Sequence, residues 1–185
     1  PFYRDAKAPV VKVGDTFGDP AVREVVLPMR QKLTAEANFT DAEALVSFLD
    51  NQDAVDSGRK MGTTGYCMGG PIVMRTAAVS PNRIGAIASF HGGGLATDQD
   101  DSPHLLIPDT NAHVLHAVAE NDDEEDPAAK VTLATAYEAA GLPAEIEVYE
   151  GTMHGWCPPD SAVYNEAQAE RAWTRLLALF ETALA

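Results

Sequence analysis

Lys60-Met61-Gly62-Thr63-Thr64-Gly65-Tyr66-Cys67-Met68-Gly69-Gly70-Pro71-Ile72 is the stretch on which the fold turns. Its centre, residues 65–69, has the pattern Gly-x-nucleophile-x-Gly, with cysteine where serine is commoner. Residues 60–64 are short and extended in composition. Residues 71–78 are helical in composition, and Pro71 falls in the first turn, where a missing N–H costs nothing. Strand, tight turn and helix are the context in which this pattern presents a nucleophile. Glycines are expected on either side because side chains there would collide with the neighbouring strand and helix. The turn would hold the Cys67 sulfur at the positive end of a helix, where backbone N–H groups lack internal partners. A thiol in that field ionises more readily, and the thiolate is the reactive species. Gly-x-Cys-x-Gly also arises by chance, and a lone cysteine is commonly a small buried hydrophobe. The string therefore needs partners elsewhere in the chain.

The chain has 185 residues, which suits one domain over residues 1–185 with a sizeable core. Hydrophobic residues make up 45% and charged residues 22%, an ordinary globular composition. Twenty-eight acidic against 13 basic residues give a formal net charge of −15, with no basic cluster to offset it. Such a surface repels nucleic acid and anionic membrane, so neither is an expected partner. The two cysteines, Cys67 and Cys157, are too few for a disulfide framework and are expected to be reduced, in a cytoplasmic setting. No apolar run approaches the length of a membrane-spanning helix, and no signal peptide is visible.

Outward from the central stretch, strands and helices alternate. A short helix is expected around residues 22–33, and another from Thr34 to about Asp50, with Ala42, Leu45, Val46 and Leu49 at helical spacing. The strand before the turn and a helix to about Val79 follow. Strands are expected at residues 83–90, 113–119 and 144–149, with a helix at 127–140 stopped by Gly141-Leu142-Pro143. A long amphipathic helix over about 164–183 closes the chain, with Ala172, Leu176, Leu177 and Phe180 on one face. This alternation implies βαβ units, a mostly parallel sheet and an α/β layered domain. In such sheets the active groups gather at the carboxyl ends of the strands.

A nucleophilic cysteine needs a base to shuttle its proton, and the base needs an orienting group. In the strand–turn–helix setting the chain order is nucleophile, acid, histidine. Both partners occur in that order and at strand ends. Glu120-Asn121-Asp122-Asp123-Glu124-Glu125-Asp126 follows one strand as an expected loop, and Glu150-Gly151-Thr152-Met153-His154-Gly155-Trp156 follows the last. Most carboxylates of the acidic run must be solvated, and only one can orient the histidine. Asp122 falls just beyond the strand end; Asp123, four residues before Pro127, is the close competitor. His154 alone could be a surface loop histidine, but its small neighbours let an imidazole reach another strand's end.

Gly65-Tyr66-Cys67-Met68-Gly69-Gly70, Ser89-Phe90-His91-Gly92-Gly93-Gly94 and Tyr149-Glu150-Gly151-x-x-His154-Gly155 resemble the dienelactone hydrolase (carboxymethylenebutenolidase) family, with likeness from Phe2 to the C-terminus. The resemblance implies an α/β-hydrolase fold, a three-layer sandwich, and an enzyme that opens a small ester or lactone through an acyl-thiol intermediate. It makes Cys67 the nucleophile, Asp122 the orienting acid and His154 the general base. The N–H of Met68 becomes half of an oxyanion hole. No cofactor or metal is implied. Arg4, in Phe2-Tyr3-Arg4, matches a substrate-binding arginine of the family, and His91 and Trp156 are candidates to shape the acyl or leaving-group pocket.

Two departures stand out. A serine and an arginine that help hold the substrate carboxylate in the family are replaced by Gly155 and Pro158, which removes one clamp. Residues 1–59 also contain no convincing strand, Val10-Val11-Lys12-Val13 being too short. The resemblance thus implies that early strands, the second oxyanion donor and an activating glutamate are absent, leaving a sheet edge on which a homo-oligomer could form. A hydrolase-like protein that binds small molecules without turnover is the second reading. A metal or redox role for Cys67, Cys157 and His154 is third, because their spacing fits no metal motif.

Overall fold

Four parallel strands form the centre of the computed structural model, which describes residues 8–185. In chain order the elements are α1 (Pro20–Gln31), α2 (Ala35–Asp50), β1 (Met61–Tyr66), α3 (Gly69–Val79) and β2 (Ile84–Phe90). A 3-10 helix (Pro103–Asp109), β3 (His113–Ala119), α4 (Glu120–Glu125), α5 (Pro127–Ala140), β4 (Ala144–Tyr149) and α6 (Glu166–Ala183) follow. The sheet order is β1-β2-β3-β4, with Tyr66 beside Phe90, Phe90 beside Ala117 and Ala119 beside Tyr149. The carboxyl ends of the strands are therefore level, and the loops after them meet at one rim.

Local chemistry sets the helix ends. Asp19 accepts from the Ala21 N–H, Thr34 from Ala37 and Asn165 from Gln168, each capping otherwise orphaned donors. Gly141, at φ 67°, closes α5 in the left-handed conformation. All seven residues of β2 are buried, as expected for a strand covered on both faces. On one face Val73, Met74 and Ala77 of α3, Ile87, Val114, Ile107 and Leu133 and Tyr137 of α5 form one core. On the other, Phe90, Leu115, Ala117, Tyr149 and Trp156 pack beneath Ala172 and Leu176 of α6. The result is the three-layer α/β sandwich expected of an α/β-hydrolase.

Three local expectations are corrected. The acidic run is not a loop but the single-turn helix α4, whose Glu120, Asp122 and Asp123 sit in its first turn, where backbone N–H groups favour negative charge. Leu177 is half exposed while Ala172 and Leu176 are buried, so the buried stripe of α6 is narrower than its apolar pattern. On α2 only Ala42 of the four apolar positions at helical spacing is fully buried, with Leu45 63% exposed. Among the described residues no strand precedes Met61. No helix among them is long and apolar enough to cross a membrane.

Candidate active site

β1 delivers Cys67 into a turn that few side chains would accept. Cys67 has φ 53°, in the left-handed region, where a non-glycine residue carries a local conformational cost of about 1–3 kcal/mol. Its N–H donates to the Phe90 carbonyl at 3.1 Å and its carbonyl accepts from the Gly70 N–H at 3.0 Å, so the bend is tied at both ends. A Cβ on Gly65 would run into the Gly69 carbonyl, and one on Gly70 would lie 2.9 Å from the Gly92 Cα. The two glycines let α3 return close against β1 and β2, and the cysteine at the tip stays exposed to solvent.

The loops after β3 and β4 are laced together. The Glu120 N–H donates to Thr152 Oγ1 at 3.2 Å, and the Gly151 N–H donates to Glu120 Oε2 at 3.1 Å. The His154 N–H donates to Asn121 Oδ1 at 2.7 Å. Held this way, His154 Nδ1 lies 2.8 Å from Asp122 Oδ2. Asp123, the alternative at the level of sequence, instead accepts from Lys130 Nζ at 2.5 Å. The side chain that meets the histidine is that of Asp122.

His154 also interacts with Cys67, and that interaction is the main cause of the shifts on both groups. The Cys67 thiol is lowered from its ordinary value first by the hydrogen bond from His154. The positive charge of His154 and the Met68 backbone N–H act in the same sense, and burial opposes them. The His154 imidazole is raised to about 9, first by its hydrogen bond to Cys67 and then by Asp122, again against burial. Cys67 lowered and His154 raised are the paired shifts of a thiol and an imidazole that stabilise each other's charged forms. Cys157 is the contrast: burial pushes its thiol up to about 12. Both cysteines are free.

Of the residues expected at the site, Cys67, Met68, Asp122 and His154 come together at the rim. His91 is adjacent but only 3% exposed, with its ring 4.9 Å from that of His154. Trp156 is fully buried, stacked on Tyr149 at 5.4 Å and edge-on to His91 at 5.2 Å. It offers no surface to a ligand and is part of the core, because the loop after His154 turns inward under α6. Arg4 lies outside the described residues. Asn121, unremarked in the sequence, proves to anchor the histidine loop; its neighbour Asp122 was the only signal for it. No cluster of metal-ligating side chains occurs among the described residues. Met68 also borders an apolar cavity of about 640 Å³ between α2 and α3, with Leu33, Ala42, Leu45 and Ile72 in its wall.

Comparison with known proteins identifies a family and a fold. The model of the dienelactone hydrolase family matches residues 2–184. The carboxymethylenebutenolidase of Rhodococcus opacus is 26% identical over 197 residues, covering 98% of this chain and 75% of that protein. Protein usf of Aquifex pyrophilus is 27% identical over 140 residues, covering 75% of this chain and 58% of its own. A crystal structure from Klebsiella pneumoniae that bears a dienelactone hydrolase name superposes with a TM-score of 0.74 at 26% identity, over 89% of this chain and 67% of that one. The chain spans 44–58% of the length of several curated relatives.

Proposed function

We propose that this chain, which belongs to the dienelactone hydrolase family, hydrolyses small carboxylic esters or lactones with Cys67 as nucleophile, His154 as acid–base and Asp122 as orienting acid. The observation that supports the reading best is His154 held 2.8 Å from Asp122 and acting on Cys67, whose thiol it lowers. The Cys67 thiolate adds to the carbonyl carbon, and the electron pair of the C=O bond moves to oxygen. The Met68 N–H is the donor for that oxyanion. Collapse breaks the bond to the leaving oxygen, which takes the proton from His154 and departs as an alcohol or enol. Neutral His154 then removes a proton from water, whose oxygen attacks the thioester. The carboxylic acid leaves and the thiolate–imidazolium pair returns. Thiolate is a better leaving group than an ordinary alkoxide, so partition favours esters with activated leaving groups such as enols.

The experiment is rapid mixing with 4-nitrophenyl acetate, followed by intact and peptide mass spectrometry. The expected result is a burst of nitrophenolate with an acetyl group on Cys67, then steady turnover. In Cys67→Ala the far-ultraviolet circular dichroism is retained and the burst is lost. A Cys67→Ala protein that still turns the ester over would overturn the assignment. Gly155 and Pro158, at the places where the family helps hold a substrate carboxylate, favour a second reading, a protein that binds such molecules without turnover. That reading predicts no acyl adduct at all.

A further inference from the structure

His91 stands out because its geometry is costly and the proposed reaction does not use it. It has φ 40°, the left-handed region again, and its N–H donates to the Ala117 carbonyl at 2.8 Å, which extends the β2–β3 ladder past Phe90. Its side chain is almost wholly buried, and neither ring nitrogen has a hydrogen-bond partner among the described residues. A buried imidazole without partners is an expensive way to fill space, so its position calls for a reason. The ring meets the His154 ring edge-on at 4.9 Å, interplanar angle 63°, and meets Trp156 in the same manner at 5.2 Å and 68°. Trp156 in turn stacks on Tyr149, so a continuous run of rings leads from the core under α6 to the histidine at the rim.

We infer that His91 is a positioning residue whose ring braces the His154 imidazole from behind, fixing the plane in which one nitrogen faces Asp122 and the other faces Cys67. His154 hangs from a glycine-flanked loop and its side chain is about a third exposed, so its hydrogen bonds alone leave the ring free to swing. Edge-on aromatic contact on the buried side removes that freedom. A charged neighbour would instead repel imidazolium. Burial first, and the charge of His154 second, push His91 down to about 4, so it stays neutral wherever the pair is formed. The groups that face His154 are Cys67, Asp122 and His91. The left-handed backbone at His91 turns the side chain inward at the end of β2, and that gives the strain a purpose.

This inference rests on the Cys67–His154–Asp122 reading, and the test separates the two. The rate of Cys67 carboxamidomethylation by iodoacetamide is followed against pH by peptide mass spectrometry in wild type, His154→Ala, His91→Phe and His91→Ala, with melting temperature in parallel. Wild type is expected to show an inflection well below that of a free thiol, and His154→Ala to abolish it. His91→Phe keeps a ring and should keep the inflection, with kcat for 4-nitrophenyl acetate within about threefold. His91→Ala should move the inflection up and lower kcat by about 10- to 100-fold, the scale of a misplaced catalytic group. A wild-type profile that His154→Ala leaves unchanged overturns the triad reading, and the bracing role with it. A His154-dependent inflection that is the same in His91→Ala as in wild type overturns the bracing role alone. So does equal loss in the Phe and Ala variants, which would assign the effect to the ring nitrogens or to general destabilisation.

Discussion

Replacing Asp122 by Asn keeps the shape of the side chain and its oxygen but removes the charge that His154 faces at 2.8 Å. A hydrogen bond to a charged partner is worth about 1.5–3 kcal/mol. The two side chains are 36% and 22% exposed, so solvent screening takes the expectation to the lower half of that range. At about 1.4 kcal/mol per pKa unit, the imidazolium and the thiolate it supports lose about 1–2 units of mutual stabilisation. The sign follows from the shifts themselves. Asp122 raises His154, and protonated His154 lowers Cys67, so without the carboxylate His154 titrates lower and Cys67 higher. The alkylation profile of Cys67 should therefore move to higher pH by about 1–2 units. Folding stability should respond as well. The part owed to His154, whose folded value of about 9 lies above its ordinary 6.5, is complete below the ordinary value and lost as the pH rises through about 9. In Asp122→Asn that contribution should be smaller, and its loss should be complete at a lower pH. Two controls sit in the same molecule. Cys157, pushed up to about 12, should not alkylate near neutrality. Asp123→Asn, which breaks only the pair with Lys130, should leave the Cys67 profile in place. An inflection that does not move in Asp122→Asn, or that moves equally in Asp123→Asn, would refute the reasoning.

Gly65→Ala should cost about 1–3 kcal/mol in urea denaturation and suppress Cys67 alkylation, because the new methyl group meets the Gly69 carbonyl and neither backbone can yield. A variant of wild-type stability and reactivity would mean that the turn has more room than described. Trp156→Ala empties a fully buried site between Tyr149 and His91 and should cost about 3–5 kcal/mol. For a domain of this size that corresponds to a fall of about 10 °C in melting temperature by calorimetry; a shift of only a degree or two would place the indole at the surface.

What could be read before any coordinates was whatever spacing alone determines. The glycines around Cys67 announce a bend because only they fit it, and the order of nucleophile, acid and histidine follows from strands that run in one direction. The choice between Asp122 and Asp123 was beyond reach. Both lie on α4, where successive side chains point about 100° apart, so the phase of a single helical turn sends one to His154 and the other to Lys130. Trp156, expected to shape a pocket, went to the core for a similar reason. A large ring after a catalytic loop suits a pocket or a core equally, and only the path of residues 155–165 beneath α6 decides. The periodicity of α2 was read correctly as a helix with an apolar stripe, but a pattern says that a face seeks cover and not what covers it.

That stripe has a consequence for handling the protein. Val25, Leu27, Leu45, Phe48 and Leu49 are each more than a third exposed, along α1 and α2. At neutral pH, with −15 formal charges per molecule, long-range repulsion keeps these oily flanks from meeting. The sequence pI is about 4.5, and as acid brings the molecule toward it that barrier vanishes while the greasy surface remains. Colloidal stability should therefore fail in mild acid before the fold does, and moderate salt, by shortening the reach of the repulsion, should bring on clumping at a higher pH.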